Sequence, residues 1–86
     1  MRFLNIGFGN IVSASRIISI SPPDSAPMRR LVQDAKEAGR VIDASAGRKT
    51  QAVIVTDSDH IVLSALTTEF LESRLSELAA EEDEQQ

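Results

Sequence analysis

The stretch Ala52-Val-Ile-Val-Thr-Asp-Ser-Asp-His-Ile-Val-Leu-Ser-Ala65 decides the fold. It is two apolar runs, rich in β-branched residues, joined at Asp57-Ser58-Asp59. That composition predicts strands at 52–56 and 60–65 connected as a hairpin. Neither run alternates with polar residues, so both faces of this hairpin are expected to be buried. One helix can cover one face. The other needs a second helix or a neighbouring subunit.

Working outward, the segments Phe3–Ile6, Ile11–Ala14, Ile17–Ser21 and Val41–Ser45 also read as strands. Gly7-Phe8-Gly9-Asn10 is a turn, and Ser15-Arg16 a kink. Ser21-Pro22-Pro23 ends the strand run, because proline offers no ladder donor. Asp24 or Ser25 then caps a helix over 26–38, with Pro27 in its first turn. Met28, Leu31, Val32, Ala35 and Ala38 form its apolar face, and Gly39 follows as its stop. Thr67 or Thr68 caps a second helix with a Leu71, Leu75, Leu78 stripe, which Phe70 is expected to widen toward a partner. The expected fold is α+β: a small antiparallel sheet packed with one main helix plus a C-terminal helix. Residues 1–80 are expected to form one domain, followed by an acidic disordered tail at 81–86.

The chain has 86 residues and no cysteine, so disulfides, cysteine-bound metals and thiol nucleophiles are excluded. A domain this small buries only roughly 60–65% of its unfolded surface, which favours self-association. No apolar run reaches the ~20 residues of a membrane span. The N-terminal Met1–Asn10 lacks the apolar core of a signal peptide, so a cytoplasmic location is expected.

The net charge is −4, but it is unevenly placed. Residues 1–66 carry eight basic and six acidic residues, net +2; residues 67–86 carry one basic and seven acidic, net −6. The acidity belongs to the last quarter, and the remainder suits an anionic partner.

Catalytic patterns are weak. Gly7-Phe8-Gly9 lacks the third glycine of a dinucleotide fingerprint, since Val12 stands there. Gly47-Arg48-Lys49-Thr50 lacks the first glycine of a phosphate loop, since Ile42 stands there. Asp57, Asp59 and His60 are better read as turn residues than as metal ligands, and no second histidine exists to make a pair. No enzyme, cofactor, metal or small-molecule substrate is expected.

The basic residues are more informative. On the first helix Arg29, Gln33, Lys36 and Arg40 fall within about 60° of one another. Arg30 has Asp34 and Glu37 at helical spacing, whereas Arg29 and Lys36 have no such partner. Together with Arg16 in one turn and Arg48-Lys49 in another, they are candidate phosphate contacts. Aromatics number only three, which disfavours stacking on single strands and leaves duplex DNA.

The run Phe3-Leu-Asn-Ile-Gly-Phe-Gly-Asn-Ile-Val-Ser-Ala-Ser-Arg16 closely resembles the opening of RemA-type extracellular matrix regulatory proteins. Ser25-Ala26-Pro27, Gln33-Asp34-Ala35, Ile42-Asp43-Ala44, Gly47-Arg48-Lys49-Thr50 and Asp57-Ser58-Asp59-His60-Ile61 continue it in order, over about residues 2–66. The resemblance implies a bacterial DNA-binding regulator of biofilm genes, nucleoid-associated, with a LytTR-like subunit assembled into a homo-oligomeric ring. It assigns DNA contact to Arg16, Arg48 and Lys49, and a structural role to Pro27. The family pattern has two arginines in the basic turn, preceded by tyrosine; here Lys49 and Ala46 stand there. Lysine keeps the charge and loses the two-pronged fork. The alternative expectation is a ring-forming scaffold or protein-interaction module without nucleic acid.

Overall fold

A computed structural model describes residues 2–84, and side chains for residues 2–80. The order is β1 (Phe3–Gly7), β2 (Asn10–Ser13), a 3-10 turn (Ala14–Arg16), β3 (Ile17–Ser21), α1 (Ala26–Glu37), β4 (Val41–Asp43), β5 (Ala52–Thr56), β6 (Ile61–Ser64) and α2 (Thr68–Glu84). The class is α+β, as the sequence predicts.

The β5–β6 hairpin is the centre. It pairs antiparallel with Val53 opposite Leu63 and Ile54 opposite Val62. Strands β3 and β4 flank it, giving the order β3-β5-β6-β4. Strand β3 joins β5 antiparallel, but β4 joins β6 parallel. This corrects the expectation of a purely antiparallel sheet. The cause is α1, which carries the chain back along the sheet between β3 and β4. Both strands therefore start at the same end, and a parallel neighbour results. The β1–β2 hairpin forms a separate two-stranded sheet.

Both faces of the central hairpin are covered within the chain. On one face Val53, Ile61 and Leu63 pack with Ala35, Met28 and Val32 of α1. On the other, Ile54 and Val62 pack with Leu4 and Ile6 of β1 and with Leu71, Leu75 and Leu78 of α2. So a helix and a hairpin supply the second cover, and no neighbouring subunit is needed for it. Leu31 lies off the α1 core face and is exposed, and Phe70 stands half-exposed beside the α2 stripe.

Helix termini follow their caps. Ser25 Oγ accepts from Met28 N, with Pro27 in the first turn. Gly39 ends α1 at φ +71, a conformation that disfavours a side chain. Thr67 Oγ1 accepts from Phe70 N and starts α2. That helix runs through Glu84, so residues 81–84 are helical where a disordered tail was expected; Gln85 and Gln86 lie outside the described residues. The buried Ser64 hydroxyl donates to Ile6 O at 2.8 Å and accepts from Leu66 N at 3.0 Å, tying β6 to β1.

Candidate functional site

The candidate cations sit at two ends of β5. At its C-terminal end, the turn 57–60 is fixed by the buried Thr56. The Thr56 hydroxyl donates to His60 O and accepts from His60 N. Ser58 Oγ bonds His60 Nδ1 at 2.8 Å, and Asp59 takes φ +65. Asp57 N donates to Arg16 O at 2.9 Å, which docks the 3-10 turn onto this one.

Arg16 Nε then donates to Asp57 Oδ1 at 2.8 Å. A guanidinium has five N–H groups, so this bond leaves four on the two Nη atoms. The Arg16 side chain remains 61% exposed. Asp57 therefore orients the arginine while leaving its fork available to an external oxyanion. The pair is solvated, so it contributes little to stability.

At the opposite end, Asp43 organises the basic loop. Its Oδ1 accepts from Ser45 N at 2.9 Å and from the Ser45 hydroxyl. Arg48 N donates to Ser45 O at 3.0 Å, and Ala46 and Gly47 adopt φ +53 and +77. The two Ser45 bonds hold the Asp43 carboxyl below its ordinary range, with Lys36 helping and slight burial opposing. A depressed folded pKa stabilises above the unfolded value of 3.8, and that stabilisation is lost as pH falls through the folded value. Asp43→Asn should thus melt below wild type at neutral pH. The gap should close as acid protonates the wild-type carboxyl, measured by thermal denaturation across pH.

Arg48 lies with its guanidinium carbon 6.0 Å from the centre of the Phe8 ring. Lys49 lines a hollow with Pro22, Pro23, Asp24, Thr67 and Glu69. The neighbouring Thr50 lines a second groove, with Arg29, Gln33 and Lys36 along one wall and Val32, Val53 and Leu63 as its apolar floor. Among the described residues, no carboxylate lies within 4.0 Å of the charged atoms of Arg29, Lys36, Arg48 or Lys49.

The structure therefore groups four of the five candidates around the basic loop and α1. Arg16 stands apart, separated from that loop by the five residues of β5, about 16 Å at 3.3 Å per residue. One protomer cannot direct both ends at a single phosphate. Arg40, on the same predicted stripe as Arg29 and Lys36, has its carbonyl accepting from Ile61 N at 3.0 Å, which places it at the Arg16 end. Phe8, which the sequence marks only as part of a tight turn, lies beside Arg48.

Asp57, Asp59 and His60 do not converge. No group of three or more His, Cys, Asp or Glu among the described residues could hold a metal ion. Among the described residues, no helix is long and apolar enough to cross a membrane.

A family model described as "RemA-like: Extracellular matrix regulatory protein A-like" matches residues 3–75. The chain belongs to the RemA-like family. The matched span includes β1 through β6, both basic turns and the first half of α2. A relative from Geobacillus thermodenitrificans, named "Putative regulatory protein", is 57% identical over 75 residues, covering 87% of this chain and 86% of that protein. Similarly named proteins are 53% identical in Clostridium botulinum, covering 96% of this chain and 91% of theirs, and 54% in Acetivibrio thermocellus, covering 98% and 90%. Family and names point to a regulatory role rather than to an enzyme. Coverage is nearly end to end, so this RemA-like chain corresponds to almost the whole of each relative.

Proposed function

We propose that this RemA-like protein is a regulator that binds duplex DNA through basic turns repeated around a homo-oligomeric ring. Its subunit is LytTR-like, and it acts on extracellular matrix and biofilm genes as a cytoplasmic, nucleoid-associated protein. The observation that carries this reading is the arrangement of cations. Arg29 and Lys36 line a groove with Thr50, Lys49 lines the neighbouring hollow and Arg48 precedes it in the same loop, and among the described residues none of the four has a carboxylate within 4.0 Å. Arg16 is pre-oriented by Asp57 at the other end of the sheet. Such groups cost solvation when an interface covers them dry, and phosphates take them with release of counterions.

The ring draws support from the sheet. Among the described residues, strands β3 and β4 each pair with a single neighbour, and Ile18 and Ile42 on them are 67% and 51% exposed. Two different open edges on one chain suit head-to-tail contact, which closes into a ring when the rotation allows. Assembly would repeat the Arg16 end and the Arg48 end around a rim. Weak contacts of single subunits then combine without any new contact. Reading of DNA sequence would come largely from shape and deformability.

Arg16→Ala tests this reading. Loss of a charge-assisted phosphate bond should lower affinity for promoter duplex by about tenfold or more, with the assembly mass unchanged. Loss of the assembly instead would make Arg16 a contact between subunits. A stable assembly that never retains duplex DNA would favour a scaffold or protein-interaction module.

A further inference from the structure

The Gly7–Asn10 tip of the β1–β2 hairpin is built more firmly than a simple reversal requires. Gly7, Phe8 and Gly9 all have positive φ, at 103°, 54° and 79°. Glycine tolerates this region, but phenylalanine rarely occupies it. The tip is braced from both sides: Asn5 Oδ1 accepts from Gly7 N at 2.8 Å, and Asn10 Nδ2 donates to Gly7 O at 3.0 Å. A Cβ on Gly7 would meet the Leu66 side chain at 3.4 Å, so the base of the tip is packed against the domain. The result of this strained, braced geometry is a Phe8 ring that is 56% exposed. Strain held in place by its surroundings is a pointer to a use for the residue that carries it.

The neighbours of the ring indicate what it meets. Arg48 lies 6.0 Å from the ring centre, and Lys49 follows it in the same loop. Neither has a carboxylate partner among the described residues. An apolar occupant alone would cover the ring and leave both cations unmatched. A nucleic-acid duplex offers both surfaces together: a base step for the ring and flanking phosphates for Arg48 and Lys49. Proteins that bend DNA commonly drive an apolar side chain between base pairs beside arginines or lysines.

We propose that Phe8 is a wedge that enters a base step of the bound duplex, opening it and bending the helix axis, while Arg48 and Lys49 hold the adjacent phosphates. This inference rests on the DNA-binding reading above and adds the contact that would make deformability the property sensed. Flexible pyrimidine–purine steps are the expected entry points.

The test uses the full chain and a duplex of ~30 base pairs with 2-aminopurine at its TA steps and a dye pair at its ends. Wild type should raise the 2-aminopurine emission several-fold and shorten the end-to-end distance. Phe8→Ala should still bind, with an unchanged salt slope and assembly mass, but lose both signals. Phe8→Leu, which keeps an apolar wedge, should retain part of them. Equal emission and bending in wild type and Phe8→Ala would overturn the wedge while leaving DNA binding intact. A changed assembly mass in both variants would also overturn it, placing Phe8 between subunits. No binding by wild type at any salt would remove the DNA reading itself, and the wedge with it.

Discussion

Ile54→Ala will cost about 3–4 kcal/mol of folding stability, the largest effect expected of any single core truncation here. Ile54 is fully buried in β5, between β3 and β6. Its side chain faces Leu4, Ile6, Val62 and Leu71, so it meets β1, β6 and α2 together. Removal leaves a cavity that these elements cannot close without breaking the β5–β6 register. Domains of this size commonly hold about 5–10 kcal/mol, so the loss is a large share. Chemical denaturation followed by circular dichroism should show a lowered midpoint with the slope kept. A loss below about 1 kcal/mol would mean that the second face of the hairpin is not packed as described.

The second large effect concerns binding. Arg48→Ala with Lys49→Ala should nearly abolish duplex binding at moderate salt while leaving the fold intact. The loop's shape does not depend on these side chains: it is set by Asp43, Ser45 and the Arg48 backbone N–H. Each lost phosphate contact should reduce the salt slope by about 0.9 per subunit engaged. Two contacts in each of two subunits would then lower the slope by about 3–4, and affinity by a hundredfold or more. Anisotropy titration at several salt concentrations reads both quantities. Unchanged affinity in the double variant would move the interface away from this loop. Restoring arginine at position 49 instead, as Lys49→Arg, would test whether the fork matters beyond the charge.

Local chemistry made much of the fold legible. The β-branched runs marked β3 and β5 with their observed limits, and the stop at Gly39 ended α1. The two apolar faces of 52–65 correctly required two covers. What the sequence left open was which elements supply them, because Leu4 and Leu71 meet Ile54 only through the tertiary fold. The parallel β4–β6 pairing was hidden for the same reason: it follows from where α1 delivers the chain, not from the composition of Val41–Asp43.

The candidate site divides in the same way. Arg48 and Lys49 are neighbours in sequence, so their cluster was visible at once. The Arg16–Asp57 pair spans 41 positions and needed the docking of one turn on another. Helical spacing located Arg29 and Lys36 on one stripe, but not the groove they share with Thr50. Phe8 was hidden by its own context, since Gly-Phe-Gly-Asn reads as a turn whatever the ring does.

The central claim is that a ring of these subunits holds duplex DNA by its phosphates. Mobility shift of wild type on promoter duplex between about 50 and 200 mM salt, with the assembly mass measured at both, tests it most directly. Six or more phosphates engaged predict a fall in affinity of about a thousandfold with an unchanged oligomer. Binding that changes less than about threefold over that range, or DNA retained only by a monomer, would contradict it.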